Sequence, residues 1–417
     1  MSNQMNRRTF LGKAAQTAAI GAALGHLRLD AAGQSASMPA SGPASQPAIE
    51  WRNKQAGMAY ARLGRTNFMV SRCVFAAGGV HGPDDLPLLE LAVERGVNYL
   101  DTGRWYPRSE SAISEFVRRH REKCWIVSKA AHIGWPDMTI KQGEDAKAAK
   151  LYTTQLEESL RTLKVDTIDC YMVQGVEHDW IVTMDSLYDA FSKARKAGKV
   201  RYFGLATHNN VPKVCELAAA SGRYDVIMVS VNPNSLKVLA PAIKAMRDAG
   251  IGLVSMKTSG PIVGDPKVYD EQYDPVLAGL KLSAYQRAYV YMLNRGGIDA
   301  FNSSTPNRTI LEENLAAAAV KLSQAELDLI ERQTFADARG ACHHCGHCNR
   351  ACPNGVRPAD LLRCHTYLHT YGDRALADAT YQATLAADCT SCGTCQVACP
   401  ESIDLPAAIA AVRLALA

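Results

Sequence analysis

The C-terminal part of the chain contains one cysteine pattern twice. Nine of the 13 cysteines lie between residues 342 and 399, and eight of these nine form two motifs with the same spacing, C-x2-C-x2-C-x3-C-P. Three cysteines in a tight loop, with a fourth at the start of the following helix, are typical of [4Fe–4S] ligation. Zinc sites instead use two C-x2-C pairs for each ion. The spacing therefore predicts two [4Fe–4S] clusters in this part of the chain.

The fourth cysteine of such a motif usually reaches the other cluster, so the eight cysteines fall into two crossed sets. The first predicted set is Cys342, Cys345, Cys348 and Cys399, and the second is Cys389, Cys392, Cys395 and Cys352. The segment resembles a bacterial two-cluster ferredoxin, but its two motifs are further apart. Helical patterns over Pro358–His369, Ala375–Ala387 and Pro406–Leu416 make it more similar to the α-helical ferredoxin variety.

Upstream of the cysteines, short β-branched runs alternate with amphipathic helical stretches from about Tyr60 to Ala336. The candidate strands are Cys73–Ala76, Asn98–Asp101, Trp125–Ser128, Thr167–Val173, Arg201–Ala206, Val226–Val231, Leu253–Met256 and Ala300–Asn302. Eight strands, each followed by a helix, predict an α/β fold of the (β/α)8 TIM-barrel type. The alternative is a doubly wound open sheet, but the glycines at 78–82 do not match the dinucleotide turn expected there.

The N-terminus carries the features of a targeting segment. Arg7 and Arg8 are followed by Phe10 and Leu11, and then by a soft apolar stretch over residues 14–25. This pattern resembles a twin-arginine (Tat) signal, although an amphipathic helix or a chance Arg-Arg pair would look similar. The resemblance implies the Tat export machinery as a partner and a periplasmic or otherwise exported location.

Four segments follow from these patterns. Residues 1–36 are the predicted signal peptide, 37–57 a flexible tether, 58–337 the barrel, and 338–417 a small, mainly helical ferredoxin-like domain. The net charge of +5 is not concentrated in a basic domain, which argues against nucleic acid as a partner. No apolar run reaches the length of about 18 residues that a membrane-spanning helix needs, so no stable span is predicted.

Three stretches of the barrel resemble the aldo-keto reductase family. They are Tyr60–Thr66, Asn98–Glu110 and Ile126–Lys129. The resemblance extends over about residues 58–334 and implies an oxidoreductase that acts on a carbonyl or alcohol group of a small molecule.

Barrels place their chemistry at the C-terminal ends of the strands, where Asp101, Tyr106 and Lys129 are expected to lie. A nearby ammonium group favours phenolate, so Lys129, held by Asp101, is expected to lower the pKa of Tyr106. Tyr106 could then exchange a proton with a carbonyl oxygen. The alternative is structural, with Asp101 at a strand end, Tyr106 packed as an ordinary aromatic residue and Lys129 in solvent.

The chain departs from the family where a catalytic histidine is expected, because it has Gln174 at that position. An amide can polarise a substrate by hydrogen bonding, but it cannot titrate. The family's nicotinamide-binding residues fall on Ala206, Thr207 and Met228. The family's adenosine-phosphate loop matches this sequence better. The resemblance implies contacts there from Ser303, Ser304, Arg308 and Asn314. NADP(H) is therefore a candidate cofactor on the strength of the phosphate loop.

Export conflicts with the use of NADP(H), because the cell envelope has no nicotinamide pool from which the cofactor could be regenerated. Hydride also carries two electrons, whereas each cluster exchanges one. The leading hypothesis is an exported aldo-keto reductase-type oxidoreductase with Tyr106, Lys129, Asp101 and Gln174 as its catalytic residues. The alternatives are an electron-transfer protein with a nicotinamide-independent barrel, or a barrel in which the clusters feed electrons to the substrate. In each case a redox partner protein or the quinone pool is the expected electron partner.

Overall fold

The computed structural model describes residues 48–134, 138–259, 279–336, 342, 345–369, 374–382, 384 and 388–416. The predicted signal peptide and the first part of the predicted tether lie outside these residues. Within the described parts of the chain, no helix is both long and apolar enough to cross a membrane.

Eight parallel strands form a closed barrel, and the prediction of a (β/α)8 fold is confirmed. A two-stranded antiparallel hairpin precedes it. The strands are β1 (Tyr60–Arg62), β2 (Met69–Ser71), β3 (Cys73–Ala76), β4 (Tyr99–Asp101), β5 (Trp125–Ala130), β6 (Ile168–Val173), β7 (Val200–Thr207), β8 (Val226–Ser230), β9 (Gly252–Met256) and β10 (Ala300–Ser303). Strands β3 to β10 pair in chain order, and β10 closes the barrel against β3. Each of the eight barrel strands lies within two residues of its predicted bounds.

Helices connect the strands and also form most of the described C-terminal domain. Those of the barrel are α1 (Leu86–Glu94), α2 (Ser109–Arg119), α3 (Asp145–Leu163), α4 (Asp179–Val182), α5 (Asp185–Lys196), α6 (Val211–Ser221), α7 (Pro233–Asp248), α8 (Ala284–Arg295), α9 (Arg308–Ala317) and α10 (Gln324–Ala336). Those of the C-terminal domain are α11 (His347–Ala351), α12 (Pro358–His369), α13 (Arg374–Gln382), α14 (Thr394–Val397) and α15 (Leu405–Leu416). Apolar helix faces pack on the outside of the strands and bury the larger of two barrel cores.

The N-terminal face of the barrel is closed by aromatic packing, which leaves the opposite face for chemistry. Phe68, beside β2, stacks on Trp125 of β5 with ring centroids 5.0 Å apart. Glu50, which lies within the predicted tether, forms a bridge with Phe68. Arg52 also donates hydrogen bonds to Cys124 O at 2.8 Å and to the buried carboxylate of Asp169 at 3.0 Å. These long-range bonds hold residues that a composition rich in Ala, Ser and Pro would assign to a flexible linker.

The C-terminal domain has a small core of its own. Helices α12, α13 and α15 bury apolar and aromatic side chains against one another, among them Tyr367, Tyr381 and Ile409. Helix α12 occupies the bounds predicted from the sequence, and α15 begins one residue earlier than predicted. This core places the two cysteine motifs on either side of the first turn of α12.

Candidate functional site

The predicted catalytic residues of the barrel meet on one face. Asp101 is the last residue of β4, Lys129 lies near the end of β5, and Gln174 follows β6 directly. In a parallel barrel the carboxyl ends of all strands open on the same side. The fold therefore brings these three side chains together at the face where barrel enzymes act.

Lys129 and Asp101 form a buried ion pair. The ammonium of Lys129 donates a hydrogen bond to Asp101 Oδ1 and a second one, of 2.7 Å, to Thr102 O. Both side chains are almost completely excluded from solvent. Burial raises the pKa of the Asp101 carboxyl, and the charge of Lys129 opposes that rise. The pair thus places an ammonium and a carboxyl group in direct contact beneath the site.

Asn302 also belongs to this group, although sequence reasoning saw it only as the end of a strand. Its Nδ2 donates to Asp101 Oδ2 at 3.3 Å. Its Oδ1 is buried and accepts no hydrogen bond from any residue that the structure describes. The only sequence signal for Asn302 was its position at the C-terminal end of the last barrel strand, where barrels of this type place catalytic residues.

Tyr106 lies over the ion pair, with its ring centroid 5.4 Å from Lys129 Nζ. The expected lowering of its pKa by Lys129 is wrong. Burial raises the pKa of Tyr106, and the charge of Asp101 and the phenol of Tyr367 raise it further. Lys129 cannot reverse this shift because its ammonium is already paired with Asp101. Tyr106 is therefore a neutral phenol at physiological pH and can donate a hydrogen bond or a proton.

Gln174 occupies the position of the missing histidine and is buried within the same group. A methyl group at Gly103 would lie 3.2 Å from Gln174 Oε1 and 3.2 Å from Lys129 Cβ, so both side chains border this glycine. Gln174 Oε1 has no partner among the described residues. A buried amide oxygen without a partner is costly, so a polar group of a ligand would satisfy it. His178, a sequence candidate for the histidine's role, is largely exposed and lies 3.5 Å from Glu177.

The four predicted phosphate contacts divide into two pairs. Ser303 and Asn314 are buried and bonded to each other, with Asn314 Nδ2 donating to Ser303 Oγ at 3.0 Å. Ser304 and Arg308 are exposed at the start of α9, where Arg308 pairs with Glu312 at 3.3 Å. Only Ser304 and Arg308 are thus placed to contact a phosphate group.

The other end of the predicted nucleotide site lacks suitable polar groups. The hydroxyl of Thr207 donates to Asn209 O at 2.8 Å within its own loop. Ala206 is apolar, and Met228 is buried inside the barrel beside Asn302. The residues therefore fit the phosphate end of NADP(H) but do not fit its nicotinamide end.

The eight motif cysteines are not joined in disulfide bonds, and they line two cavities. The first cavity is lined by Cys342, Cys345, Cys348 and Cys399, and the second by Cys352, Cys389, Cys392 and Cys395. These are the same two crossed sets that the spacing indicates. Across the described residues, no three His, Cys, Asp or Glu side chains lie close enough to bind a single metal ion. Four thiols spread around a cavity instead suit a multi-iron cluster.

The cluster domain docks on the active face of the barrel. Arg357 donates hydrogen bonds of 2.8 and 2.5 Å to the two carboxylate oxygens of Glu177, which follows β6. Arg350 donates to Asn210 Oδ1 at 2.6 Å, beyond the end of β7. A methyl group at Gly346 would lie only 2.9 Å from Asn210 N. The first cysteine loop therefore rests directly on a loop of the barrel mouth.

Three residues other than glycine on the same face have positive φ values. His132, Asn210 and Lys257 have φ values of 63°, 51° and 57°, and they follow β5, β7 and β9 respectively. A left-handed conformation is unfavourable for residues other than glycine, and it persists where surrounding structure imposes it. These conformations indicate that the surrounding structure fixes the backbone at these three positions of the barrel mouth.

Comparisons with known proteins agree with this geometry. A model of the Aldo/keto reductase family matches residues 75–263, and a model of the 4Fe-4S dicluster domain matches residues 341–404. The chain is therefore similar to the Aldo/keto reductase family over its barrel and to the 4Fe-4S dicluster domain over its C-terminal part, in agreement with the two resemblances.

Individual relatives are more distant. "Uncharacterized oxidoreductase YqkF" of Bacillus subtilis (strain 168) is 30% identical over 29% of this chain and 39% of its own length. "Aldo-keto reductase AMT2" of Alternaria alternata is 28% identical over 37% of this chain and 51% of its own. The chain thus spans about half or less of the length of these curated relatives. The aldo-keto reductase AKR11C1 from Bacillus halodurans (holo form) is 18% identical, with a TM-score of 0.54 over 67% of this chain and 96% of that one, and shares the fold.

Proposed function

We propose that the protein is an oxidoreductase that interconverts a carbonyl and an alcohol group of a small molecule, with its cluster domain as the route for electrons. One observation carries this proposal. The domain with the two cysteine cavities docks on the barrel face that holds Tyr106. Electrons from the cluster domain and a proton from Tyr106 would therefore reach a substrate at the same face of the barrel.

Reduction of a carbonyl requires two electrons, which a reduced partner would supply one at a time through the cluster domain, and two protons, of which Tyr106 would supply the one at oxygen and water at the barrel mouth the one at carbon. Tyr106 is neutral, so it can donate its proton to the substrate oxygen as negative charge develops there. The Lys129–Asp101 pair lies beneath this phenol, with Lys129 Nζ 5.4 Å from the centroid of its ring. Gln174 orients the substrate by hydrogen bonding and takes no part in proton transfer.

The eight motif cysteines are the proposed ligands of two [4Fe–4S] clusters. The crossed sets of four thiols provide the complete ligation that each cluster needs. When bound, such clusters exchange electrons one at a time. A redox partner protein or the quinone pool is the proposed electron partner, and export by the Tat route to the periplasm is the proposed location.

A second candidate is an electron-transfer protein whose barrel no longer uses nicotinamide. The internal bond of Thr207 and the buried Met228 favour this alternative, because they leave the nicotinamide end without polar contacts. The phosphate end, with Ser304 and Arg308, still fits an anionic group. The two candidates differ in whether the barrel turns over a carbonyl substrate.

An anaerobic titration of the cluster-loaded protein separates them. Reduced methyl viologen should bleach the cluster absorbance and support reduction of a probe carbonyl, DL-glyceraldehyde. NADPH should show no enhanced nicotinamide fluorescence. Cluster bleaching without turnover of any carbonyl in a broad panel would favour the electron-transfer alternative. NADPH fluorescence that is lost in Arg308→Ala, together with NADPH-driven turnover, would instead show an ordinary nicotinamide enzyme.

Gly78→Ala is expected to impair the site by displacing Tyr106. A methyl group at Gly78 would lie 3.1 Å from Cδ1 of Tyr106 and 3.2 Å from two more ring carbons. Because the ring must give way by a few tenths of an ångström, and misplacement by about 1 Å can cost about 100-fold in rate, we expect a loss of about 2- to 10-fold in kcat. Gly79→Ala is the matched control, since nothing lies within 4 Å of a methyl group there. Equal activity of the two variants in the viologen assay would contradict the assigned position of Tyr106.

A further inference from the structure

The two cysteine motifs form a structural repeat. Gly346 and Gly393 follow the second cysteine of their motifs, and each is the N-cap of a short helix, with a φ value of 76°. The match continues past the fourth cysteine, where Gly355 and Ser402 have positive φ values of 71° and 54°. Because the backbones of the two repeats agree at these positions, the contacts of equivalent residues can be compared.

In the first repeat, the surface beside the second cysteine is covered by the barrel. A methyl group at Gly346 would lie 2.9 Å from Asn210 N, so two backbones approach closely there. Arg350, four residues after Gly346, donates to Asn210 Oδ1 at 2.6 Å. Cys345, which precedes the glycine, is buried. The first loop therefore shows how such a repeat contacts a second surface, through its glycine and the residue four positions later.

In the second repeat, the equivalent positions face solvent. Cys392, the counterpart of Cys345, is exposed. Apart from its chain neighbours, nothing in the described residues lies within 4 Å of a methyl group at Gly393. Val397 takes the place of Arg350 and is 90% exposed, more than any other large apolar side chain that the structure describes. Residues 389–400 contain no Asp, Glu, Lys or Arg, so this second contact surface is apolar and uncharged.

The second cavity adjoins the first. Pro358 lines the second cavity, and the next residue, Ala359, lines the first. An electron that enters the domain at Cys392 would therefore pass directly from one cluster site to the other. The first loop then delivers it to the barrel at Asn210. The exposed repeat thus lies at the outer end of the electron route, and the covered repeat lies at its inner end.

We propose that Cys392, Gly393 and Val397 form the docking surface for a one-electron carrier protein with an apolar contact patch. The carrier packs on the second repeat as the barrel packs on the first, with its backbone beside Gly393 and an apolar side chain on Val397. Each reduced carrier is oxidised by one electron, which reduces the cluster of the second cavity. Two such encounters supply the two electrons of carbonyl reduction. This inference rests on the function proposed above, because it names the partner of the same electron route.

The first test is photo-cross-linking of the full-length, cluster-loaded protein to flavodoxin, which serves as the probe carrier. Val397→Cys and Leu414→Cys are each labelled with benzophenone-4-maleimide. Leu414 is the matched control, because it is 86% exposed but lies about 140° around α15 from Ile409, which lines the second cavity. We expect a cross-link to flavodoxin from position 397 and none from position 414.

Three outcomes of this test would overturn the proposal. They are no cross-link to flavodoxin from position 397, equal cross-linking from both positions, and a cross-link from position 397 to a second copy of the chain instead of to flavodoxin. The last outcome would make this surface an interface between copies of the protein.

The second test measures how fast flavodoxin hydroquinone bleaches the cluster absorbance in Val397→Asp. An acidic side chain in an apolar contact buries a charge without a partner, so the second-order rate constant should fall about tenfold or more. Leu414→Asp should keep the wild-type rate. Reduced methyl viologen should bleach both variants at the wild-type rate, because a small donor needs no docking surface. An unchanged flavodoxin rate in Val397→Asp, or an equal loss with methyl viologen, would contradict the proposal.

Cross-linking and bleaching require no carbonyl substrate, so the two proposals can fail separately. A protein that flavodoxin reduces through this surface, but that turns over no carbonyl, would refute the proposed function and leave the docking surface standing. A protein that reduces DL-glyceraldehyde with methyl viologen, but that neither cross-links to flavodoxin nor is bleached by it, would refute the docking surface and leave the proposed function standing.

Discussion

Tyr106→Phe is expected to lower kcat for carbonyl reduction by about 10²- to 10⁴-fold, the usual contribution of a general acid. The variant keeps the ring that packs against Gly78 and loses only the hydroxyl. Because the phenol is the group placed to donate a proton above the Lys129–Asp101 pair, its loss should affect kcat more than KM. Steady-state kinetics with reduced methyl viologen and DL-glyceraldehyde measure the effect.

Tyr202→Phe is the control for this variant. Tyr202 lies on the outside of the site, and its hydroxyl donates to Thr66 O at 2.9 Å near the closed face of the barrel. Its loss removes one tyrosine hydroxyl without touching the mouth, so kcat should stay at the wild-type value. Full turnover in Tyr106→Phe would exclude Tyr106 as the acid and would leave Gln174 and solvent as the remaining proton routes.

The pH dependence follows from the same environment. Burial and the charge of Asp101 raise the pKa of Tyr106, so the phenol keeps its proton above its ordinary pKa of about 10. The protonated form is the active one in reduction. Activity should therefore persist across the alkaline range in which an exposed tyrosine would lose its proton.

The barrel could be predicted from the sequence because its signals are local. Runs of β-branched residues give the strands, and eight repeats of strand and helix leave few other folds. The cysteine sets are also local in origin, since the loop spacing fixes three thiols and the Cys-Pro step fixes the fourth. The spacing within each motif is local, although the crossing of the fourth cysteine joins residues that are far apart in the chain.

The features that the sequence did not predict depend on contacts between distant segments. Arg357 and Glu177 are far apart in the chain, and neither belongs to a motif, so docking of the cluster domain on the barrel mouth had no local signal. The prediction that Lys129 lowers the pKa of Tyr106 was wrong for the same reason. The motif placed Lys129 nearby, but burial and the pairing of Lys129 with Asp101 decide the sign.

Cys399→Ser should remove iron from the first cavity, although Cys399 belongs to the second motif. Cys399 lines the cavity with Cys342, Cys345 and Cys348, so its loss leaves that set with three thiolates. The iron content should fall from about eight to about four atoms per protein, with loss of one cluster signal in electron paramagnetic resonance of the reduced protein. Cys342→Ser should give the same spectrum, and Cys389→Ser and Cys352→Ser should share a different one.

Cys364→Ser is the matched control, because this buried cysteine lies on α12 and lines neither cavity. Its thiol donates to Asp360 O at 3.2 Å, a bond that a serine hydroxyl can also make. Iron content should therefore be unchanged. If Cys399→Ser instead matched Cys389→Ser, each motif would bind its own cluster and the crossed assignment would be wrong.

The same variant also tests the order of the two cavities along the electron route. The first cysteine loop rests on Asn210 at the barrel mouth, whereas Cys392 in the second set is exposed to solvent. Cys399→Ser should therefore abolish viologen-driven turnover while the remaining cluster is still reduced. Turnover that survives without the first cluster would mean that electrons reach the barrel by another path, and the docking of that loop would then be structural.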